Sequence, residues 1–414
     1  MTPASVNYHL MIDEKFIDGF AKEALSITKN NKFIFTFSPP SKYVKTADGI
    51  HAPYDTKELD SLLSHVTADD QIFIHWYSSN VNSIFDKIPL DTKVFLCFWG
   101  GDFLESPFFS HPENKINHFL YDPLTLKVVK KRAFADQKQV RDLKNKSAKE
   151  SGNVKNRIAT HFLNIKQSAK SLTSSAFNAG MEERRIFLNR IEAVCHWNSF
   201  DIKILNKLYN VSLKQRYFVY PVGTDNLRVE QGQNTKDSAG LTIWLGNSDT
   251  ETNNHLDALT LLSKWKNLDI KIICPLNYGN KLYAQLVAEF GAQIFGTKFK
   301  PILEFMPRDE YYALMDEVDI VYMPHNRGQA GGNLFAFIKK GKKVFMKKQS
   351  SIYRLFKSLG MHIYDSENLM NTDFKNLKSP LNQVVIDINI EILNSSVSNK
   401  EKRLKALKEV LLNG

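Results

Sequence analysis

The sequence predicts an α/β protein made of two doubly wound domains that face each other across a cleft. Short runs rich in Val, Ile and Phe alternate with amphipathic helical stretches, which is the pattern of parallel sheets with helical crossovers. This alternation stops near the middle of the chain and then starts again. A chain of 414 residues also suits two domains, at roughly 100–200 residues each.

The N-terminal half alternates regularly between strand and helix. Helices are predicted over residues 15–28 and 56–66, because apolar positions recur there at helical spacing, and a short helix is predicted over VNSIFDKI. The pattern resumes after residue 190, with a helix over 201–209. We predict that residues 1–228 form this domain. Its strands are expected in YHLMI, KFIFTF, IFIHW, KVFLCFW, RIEAVCHW and RYFVYP.

Residues 121–190 interrupt this alternation and are predicted to be a basic helical insertion in the N-terminal domain. Between Lys127 and Lys170 there are 13 Lys and Arg against three acids, a net charge of 13 − 3 = +10. The whole chain has a formal net charge of +11, so this segment carries nearly all of the excess. We expect this segment to bind an anionic membrane surface, where each basic residue contributes on the order of 1 kcal/mol. A solvated face is the second interpretation. Nucleic acid ranks last, because regular aromatic residues for base stacking are lacking.

The C-terminal half repeats the alternation after a polar, glycine-bearing stretch. We predict a linker over residues 229–240 and a second domain over 241–414, whose last helix packs back on the first domain. Its strands are expected in LTIWL, DIKIICP, AQIF, PILEF, DIVYMP, KKVFM and MHIYD. Its helices are expected over residues 251–265, 281–290, 308–317, 333–340 and 352–359.

Cysteine usage and hydropathy exclude several classes of protein. Cys97, Cys195 and Cys274 lie far apart in apolar runs, without a CxxC pair or metal-ligand spacing. We expect buried, reduced thiols, as in a cytoplasmic protein. The start of the sequence lacks a signal-peptide pattern, and no run of about 18 apolar residues occurs. The sequence therefore predicts at most a peripheral contact with a membrane.

Three turns in the C-terminal half follow predicted strands and precede predicted helices. Glycines let a backbone approach a ligand closely, and the first N–H groups of a helix are unpaired and favour a phosphate. Together the turns predict a site for a diphosphate-bearing ligand such as a nucleotide sugar. For each turn alone, a plain turn with a helix cap is the competing interpretation. The residues are Gly246, Asn247, Ser248, Asn277, Tyr278, Asn326, Arg327, Gly328, Gly331, Gly332 and Asn333.

Two stretches of the N-terminal half place acid–base side chains after strands. IHWYSSN carries His75, and CFWGGDFLE carries Asp102 directly after two glycines. Both side chains are expected at the rim of the first sheet, facing the cleft, where either could act as a general base. The competing interpretations are a core histidine whose hydrogen bonds are satisfied and an aspartate that caps a helix.

The ordered series of these stretches resembles one bacterial enzyme family. The series is IHWYSSNVNSIFDKI, VFLCFWGGDF, IWLGNSDTETNNHLDAL, ICPLNYGN and EFMPRDEYYALMDEVDIVYMPHNRGQAGGNL. It is similar to the TDP-N-acetylfucosamine:lipid II N-acetylfucosaminyltransferases, also called 4-alpha-L-fucosyltransferases. The resemblance is best over residues 70–105 and 241–347 and is weak across 120–190.

The resemblance implies a GT-B glycosyltransferase with two Rossmann-like domains. Such an enzyme moves a deoxyamino sugar, for example N-acetylfucosamine, from a dTDP- or UDP-sugar to a polyprenyl-diphosphate-linked saccharide. It works at the inner face of the cytoplasmic membrane, in the assembly of cell-surface polysaccharide. GNS at 246–248 and GQAGGN at 328–333 would hold the donor diphosphate. The acceptor side would include Trp76, Trp99, Gly100 and Gly101.

We expect a sugar transfer that needs neither cofactor nor metal ion. Helix N-termini and Arg327 would stabilise the departing diphosphate, and no DxD sequence stands in a suitable place. Asp102 is the leading candidate for the base and His75 the second. Two alternatives stay open. One is a nucleotide-sugar epimerase or hydrolase on the same fold, and the other is a nucleic-acid-binding protein that uses residues 127–170.

Overall fold

The structure is a computed structural model that describes residues 5–104, 117–130, 174–221 and 240–413. The chain divides into two compact units, and each is assembled from separate stretches. Most of the predicted basic segment and of the predicted linker lies outside the described residues. Unit 1 contains Met1–Phe103, Glu183–Arg228 and Ile388–Gly414, and unit 2 contains Leu104–Glu182 and Val229–Asp387.

Unit 1 is built on a parallel sheet of seven strands in the order β3-β2-β1-β4-β5-β6-β7. The central strands are buried along their length, which explains why they read as continuous apolar runs rather than as alternating ones. β3 has only two residues, too few to give a signal in the sequence. The strands are β1 Asn7–Met11, β2 Asn31–Phe35, β3 Ile50–His51, β4 Gln71–Ile74, β5 Lys93–Cys97, β6 Ala193–Cys195 and β7 Gln215–Arg216.

Helices connect these strands, and several begin at the capping residues that the sequence offers. The Thr56 hydroxyl accepts from the N–H of Leu59, and the Asn198 side chain accepts from the N–H of Phe200. VNSIFDKI forms a 3-10 helix. The helices of this part of the chain are Ile17–Ile27, Lys57–Leu63, Ser79–Asp86 (3-10), Gly101–Leu104, Asn117–Leu120, 123–130, Ser174–Arg190 and Ser199–Tyr209.

The last helix of the chain, Lys400–Asn413, packs in unit 1. Its buried side chains Leu407, Val410 and Leu411 join the same core as Phe20 of helix 17–27. The buried Arg403 guanidinium makes two hydrogen bonds to the carboxylate of Glu23, at 3.1 and 2.7 Å. An apolar seam and a buried charge pair therefore hold this helix to the first one.

Unit 2 is built on a second parallel sheet, in the order β10-β9-β8-β11-β12-β13. Its strands are β8 Leu241–Leu245, β9 Ile270–Pro275, β10 Phe299–Ile302, β11 Ile320–Met323, β12 Lys343–Met346 and β13 Tyr364–Asp365. The helices after residue 240 are Glu251–Asn253 (3-10), His255–Leu262, Ser263–Trp265 (3-10), Lys281–Phe295, Gly296–Lys298 (3-10), Arg308–Asp316, Gly331–Lys339, Ser351–Ser358, Ser366–Asn371 (3-10), Phe374–Lys378, Gln383–Ser395 and Lys400–Asn413.

One predicted strand of unit 2 is wrong. AQIF belongs to the end of helix Lys281–Phe295, and the strand lies further on, at Phe299–Ile302. A short apolar run fits a helix end as well as a strand, so periodicity could not separate them. The packing of the helix end against the following strand distinguishes the two possibilities. Gly291 leaves room for the Phe299 ring, because a β-carbon there would stand 2.5 Å from it.

The two sheets confirm the predicted α/β class with two doubly wound, Rossmann-like units. In each sheet the chain first winds to one side and then to the other. The reversal lies between β1 and β4 in unit 1, and between β8 and β11 in unit 2. Ligands of open α/β sheets bind outside the carboxyl ends of strands at such a reversal. The cysteines are buried and free, as expected, and Cys97 is the cross-strand neighbour of Cys195.

Arg403→Ala is expected to lower the free energy of unfolding of unit 1 by about 3–5 kcal/mol, because it leaves the Glu23 carboxylate without its buried partner. Chemical denaturation monitored by circular dichroism measures this. Lys214→Ala is the matched control, because it removes the exposed pair with Glu192 in the same unit. The control should cost about 1 kcal/mol or less. Equal losses for the two variants would contradict the packing of the last helix described above.

Candidate functional site

The turns after β8 and β11 meet at the reversal of the second sheet. Gln329 connects them. Its side-chain nitrogen donates to Asn247 Oδ1 at 2.9 Å, and its side-chain oxygen accepts from the Thr252 hydroxyl at 2.9 Å. Two of the turns that the sequence singled out, 70 residues and more apart in the chain, are therefore neighbours in space.

Gly246 opens the first of these turns in a conformation that favours glycine. Its φ is +70°, and a β-carbon there would lie 2.6 Å from His255 Nε2. His255 is fully buried, and within the described part of the chain neither of its ring nitrogens has a hydrogen-bond partner. Burial lowers the pKa of His255 to about 3. A neutral imidazole thus lies directly beneath the turn.

The polar groups predicted for this turn are largely engaged inside it. The N–H of Asn247 donates to Asn253 Oδ1 at 3.2 Å. The side-chain nitrogen of Asn253 donates to the carbonyl and to the hydroxyl of Ser248, both at 3.1 Å. Asn253, which the sequence analysis did not single out, is therefore the residue that shapes the turn.

The turn after β11 leads into helix Gly331–Lys339, which begins at the two glycines rather than after them. The preceding residue, Ala330, has a φ of +63° and no side-chain hydrogen bond that caps the helix. A left-handed conformation costs an alanine roughly 1–2 kcal/mol. Asn333, in the first turn, donates to the Tyr311 hydroxyl at 3.0 Å. The start of this helix thus combines glycines, uncapped geometry and a strained residue.

The remaining predicted residues of this turn are built into unit 2. Arg327 is 6% exposed, and its Nη1 donates to the carbonyl of Gly328 at 2.8 Å. The buried Asn326 accepts from Gln349 Nε2 at 3.2 Å. Arg327 therefore lies at the turn, but its guanidinium is used at least partly to hold the loop.

The third predicted turn, CPLNYGN, is attached to the first. The N–H of Asp249 donates to the carbonyl of Tyr278 at 3.1 Å. The neighbouring Asn277 donates to the carbonyl of Glu304 at 3.2 Å, and the Tyr278 ring is 48% exposed. All three turns predicted in the C-terminal half are therefore joined by hydrogen bonds at the carboxyl edge of one sheet.

A buried network of hydrogen bonds beside these turns, centred on Asn254, was missed by the sequence analysis. Asn254 is fully buried, and its Nδ2 donates to the carbonyls of Leu120 and Pro324, at 3.1 and 3.2 Å. Its Oδ1 accepts from the N–H of Asp122, whose carboxylate pairs with Lys347. Paired asparagines before a helix could have signalled a cap. Partners more than 100 residues away could not be read from the sequence.

Asp102 of unit 1 lies in the turn after β5 and is 2% exposed. Gly100, with a φ of +92°, lets the chain bend so that the side chain turns inward. Asp102 Oδ2 accepts from the N–H of Tyr77 at 3.5 Å, and Oδ1 is buried with no hydrogen-bond partner among the described residues. Burial raises the pKa of Asp102 to about 7, partly offset by backbone hydrogen bonds.

The expectation that Asp102 and His75 face an open cleft is wrong, because both side chains are buried. His75 follows β4 as predicted, with its ring fully buried. Nε2 lies 3.1 Å from His9 Nδ1, and Nδ1 is hydrogen-bonded to the Tyr220 hydroxyl. Burial, followed by the electrostatic effect of the neighbouring His9, lowers the pKa of His75 well below its usual range. Of the two candidate bases, Asp102 has the pKa that suits the task and His75 has the contacts of a core histidine.

The predicted acceptor residues all follow β4 and β5. Trp76 and Trp99 are partly buried, Gly100 is buried, and Gly101 begins the short helix that carries Asp102. The Trp99 ring lies 4.5 Å from that of Tyr220 and 5.7 Å from that of Phe16, measured between centroids. Phe16 and Tyr220 were missed, because they lie in other loops and carry no motif.

Two kinds of feature are absent from the described residues. No group of three or more His, Cys, Asp and Glu side chains in the described ranges is placed to hold a metal ion. Among the helices in those ranges, none combines the length and the apolar character needed to cross a membrane.

The fold is similar to those of several solved glycosyltransferases. A glycosyltransferase from Rickettsia africae matches with a TM-score of 0.54 and 10% identity, over 100% of both chains. HepE from Anabaena, solved in complex with UDP-glucose, matches with a TM-score of 0.55 and 9% identity, over 99% of this chain and 100% of its own. Sucrose-phosphate synthase from Thermosynechococcus elongatus matches with a TM-score of 0.56 and 7% identity, over 98% of both.

At such low identities these structures establish the architecture, which is that of GT-B glycosyltransferases, and leave the chemistry open. The sequence itself carries the finer assignment. The family model described as 4-alpha-L-fucosyltransferase, glycosyl transferase group 56, matches residues 158–407, which is more than half of the chain. The chain is therefore a glycosyltransferase that belongs to the 4-alpha-L-fucosyltransferase family, glycosyl transferase group 56.

Proposed function

We propose that this glycosyltransferase transfers a deoxyamino sugar, such as N-acetylfucosamine, from a dTDP-sugar to a polyprenyl-diphosphate-linked saccharide. The observation that carries the donor half of this proposal is the joined set of turns in unit 2. These turns follow β8, β9 and β11, which are neighbours in one sheet. Helix 331–339 begins there with two glycines, and Gln329 connects the turns after β8 and β11. HepE, a structural neighbour, was solved with UDP-glucose, which supports a nucleotide sugar as the class of donor.

In this proposal the donor diphosphate lies at the start of helix 331–339. The first N–H groups of a helix have no partners within it, and the helix dipole is positive at that end. Gly331 and Gly332 carry no side chain that would keep a phosphate away. These dipoles are in place before the reaction, so they stabilise the charge that develops on the leaving diphosphate without reorganisation. Arg327, close by in the same turn, adds a fixed positive charge.

Asp102 is the proposed general base for the acceptor hydroxyl. A base works best when its pKa lies near the working pH, and burial places the pKa of Asp102 at about 7. Oδ1 accepts no hydrogen bond from the described residues, so its lone pairs are not engaged within unit 1. His75, whose ring nitrogens are both in contact with other residues, is the weaker candidate.

The basic segment 127–170 is the proposed contact with the anionic inner face of the cytoplasmic membrane. Its lysines and arginines would hold the enzyme near a lipid-linked acceptor. Residues 131–170 lie outside the described part of the chain, so this part of the proposal rests on charge alone. The nucleic-acid alternative uses the same charges.

Isothermal titration with dTDP, UDP and GDP, without added metal, tests the donor site. We expect dTDP or UDP to bind, and Gly332→Val to weaken the affinity at least about tenfold, because a side chain would hold the phosphate off the N–H groups. Val384→Ala is the control, since it truncates an exposed side chain of unit 2. Absence of binding by every nucleotide would refute the donor site.

Asp102→Asn tests the base. We expect kcat to fall by about 10²–10⁴-fold with dTDP affinity unchanged. In the wild type, kcat/KM should rise with pH up to about 7, because the carboxylate must be ionised, and the variant should lose this rise. Near-normal turnover by the variant would eliminate Asp102 as the base. Asp60→Asn, at an exposed ion pair in the same unit, is the control.

Stability shows whether the Asp102→Asn variant is folded. The native carboxyl holds its proton up to a pH of about 7, while the unfolded one loses it near its ordinary value of 3.8. The wild type therefore loses stability as the pH rises from 3.8 to 7, and the Asn variant does not. The variant should be the more stable of the two at pH 8.

Product analysis of the wild-type reaction, with and without acceptor, separates sugar transfer from hydrolysis or epimerisation of the donor.

Sedimentation with vesicles tests the membrane contact. Vesicles that contain phosphatidylglycerol should bind the protein, and pure phosphatidylcholine vesicles should not. Replacing Lys130, Lys131 and Arg132 by Gln should lower the partition coefficient by about two orders of magnitude, at about 1 kcal/mol for each charge. Unchanged binding by this variant, or a preference for RNA over vesicles, would contradict the proposal.

A further inference from the structure

A cluster of partly buried aromatic rings lies at the carboxyl edge of the unit 1 sheet, and only its Trp99 has so far been given a role, on the acceptor side. It consists of Phe16, Trp99 and Tyr220, which follow β1, β5 and β7. The ring centroids are separated by 5.7 Å, 4.5 Å and 6.5 Å. A straight stack would place Phe16 and Tyr220 much further apart than 6.5 Å. The three rings therefore pack against one another as one compact cluster, which we call the aromatic platform. In it Phe16 is stacked on Trp99, and Tyr220 overlaps Trp99 at a tilt of 40°.

The platform lies where an α/β sheet binds its ligands. β1 borders the reversal of strand order in this sheet, and the carboxyl ends of the strands around it form a crevice. The platform also shares the turn after β5 with Asp102, only three residues beyond Trp99. The Nζ of Lys15 lies over the face of the Phe16 ring, 5.1 Å from its centre, so that face carries a positive charge.

Beneath the platform runs a buried chain of hydrogen bonds whose proton positions follow from its far end. The side-chain nitrogen of Asn31 donates to the carbonyls of Ala24 and Thr28, at 3.1 and 2.8 Å. Its oxygen must therefore accept, and His9 Nε2, 3.1 Å away, must carry a proton. Burial lowers the pKa of His9 to about 4, so the ring is neutral and His9 Nδ1 is an acceptor.

The proton positions in the other hydrogen bonds of this series, up to Tyr220 in the platform, follow in the same way. His75 Nε2, 3.1 Å from His9 Nδ1, must donate to it. His75 Nδ1 is then the acceptor, and the Tyr220 hydroxyl donates to it. Asn31, two neutral histidines and Tyr220 thus form a chain in which every donor points the same way. The phenol is anchored inside the unit, and the orientation of the Tyr220 ring is fixed.

We propose that Phe16, Trp99 and Tyr220 bind a sugar ring of the acceptor saccharide by stacking, and that His9 and His75 position Tyr220 in this platform. The proposal rests on the transfer reaction proposed above. Sugar rings present apolar C–H faces that pack on aromatic rings while their hydroxyls hydrogen-bond at the edge. An anchored ring binds without losing side-chain freedom, which favours affinity. Lys15 suits an acceptor that carries negative charge.

Kinetics with short-chain prenyl-diphosphate-linked mono- and disaccharides of N-acetylhexosamines test the platform. Trp99→Ala should raise the acceptor KM at least about tenfold, with the donor KM and the kcat at saturating acceptor little changed, because uniform binding is lost. Trp99→Phe, which keeps an aromatic face, should restore most of the affinity. Tyr220→Phe removes only the anchor and should raise the acceptor KM about three- to tenfold. An unchanged acceptor KM in folded Trp99→Ala would overturn the platform.

Tyr217→Phe is the matched control, because its hydroxyl bonds to the carbonyl of Ser396 in the same unit, outside the platform. It should leave the acceptor KM unchanged.

Nitrogen-15 NMR of labelled histidine tests the chain of hydrogen bonds from Asn31 to Tyr220, and it does not depend on enzyme activity. His9 and His75 should both carry their proton on Nε2 between about pH 6 and 8, since burial holds their pKa values below that range. A proton on His75 Nδ1 would refute the assigned direction.

Acceptor binding without donor distinguishes the two proposals. If wild-type protein binds the saccharides in isothermal titration and Trp99→Ala does not, the platform stands even where no nucleotide binds and the transfer proposal fails. If dTDP binds and transfer occurs with an unchanged acceptor KM in Trp99→Ala, the transfer proposal stands and the platform fails.

Discussion

The reversal of strand order is the constraint on which the rest of this molecule depends. Parallel strands are buried on both faces, so their side chains serve packing and leave little room for polar chemistry. The strand ends are different, because neighbouring connections leave in opposite directions at the reversal. In unit 2 this point brings the turn after Leu245 beside the turn after Met323, with Gln329 between them. The residues proposed for the donor diphosphate lie in these two turns.

Buried polar groups in these turns fall into two kinds. Asn253 and Asn254 have their side-chain groups satisfied, and they hold loops that would otherwise be free to move. Asp102 Oδ1 and both ring nitrogens of His255 are buried without a partner in the described residues. An unsatisfied buried group costs about 1–3 kcal/mol. These unsatisfied groups therefore lower the stability of the segments that carry them.

His75 and Asp102 show how similar sequence signals acquire different roles. Each follows a strand, and each was a candidate base. The neighbours of His75 supply one contact for each ring nitrogen, and aromatic rings surround it, so burial makes it a neutral link in a chain. The neighbours of Asp102 leave one oxygen without a donor, so burial raises its pKa. Contacts from residues far along the chain separate the two cases.

The sequence by itself determined the α/β class, most of the strands and helices, the family and the three glycine- and asparagine-bearing turns. Local periodicity, capping residues and ordered motifs predict those features. Only the tertiary structure decided that AQIF ends a helix, that Phe16, Trp99 and Tyr220 form one platform, and that Asn254 joins three segments. The physical reason is the same in each case. These outcomes depend on contacts between residues that are distant in the chain, and no local pattern records the partner across the sheet.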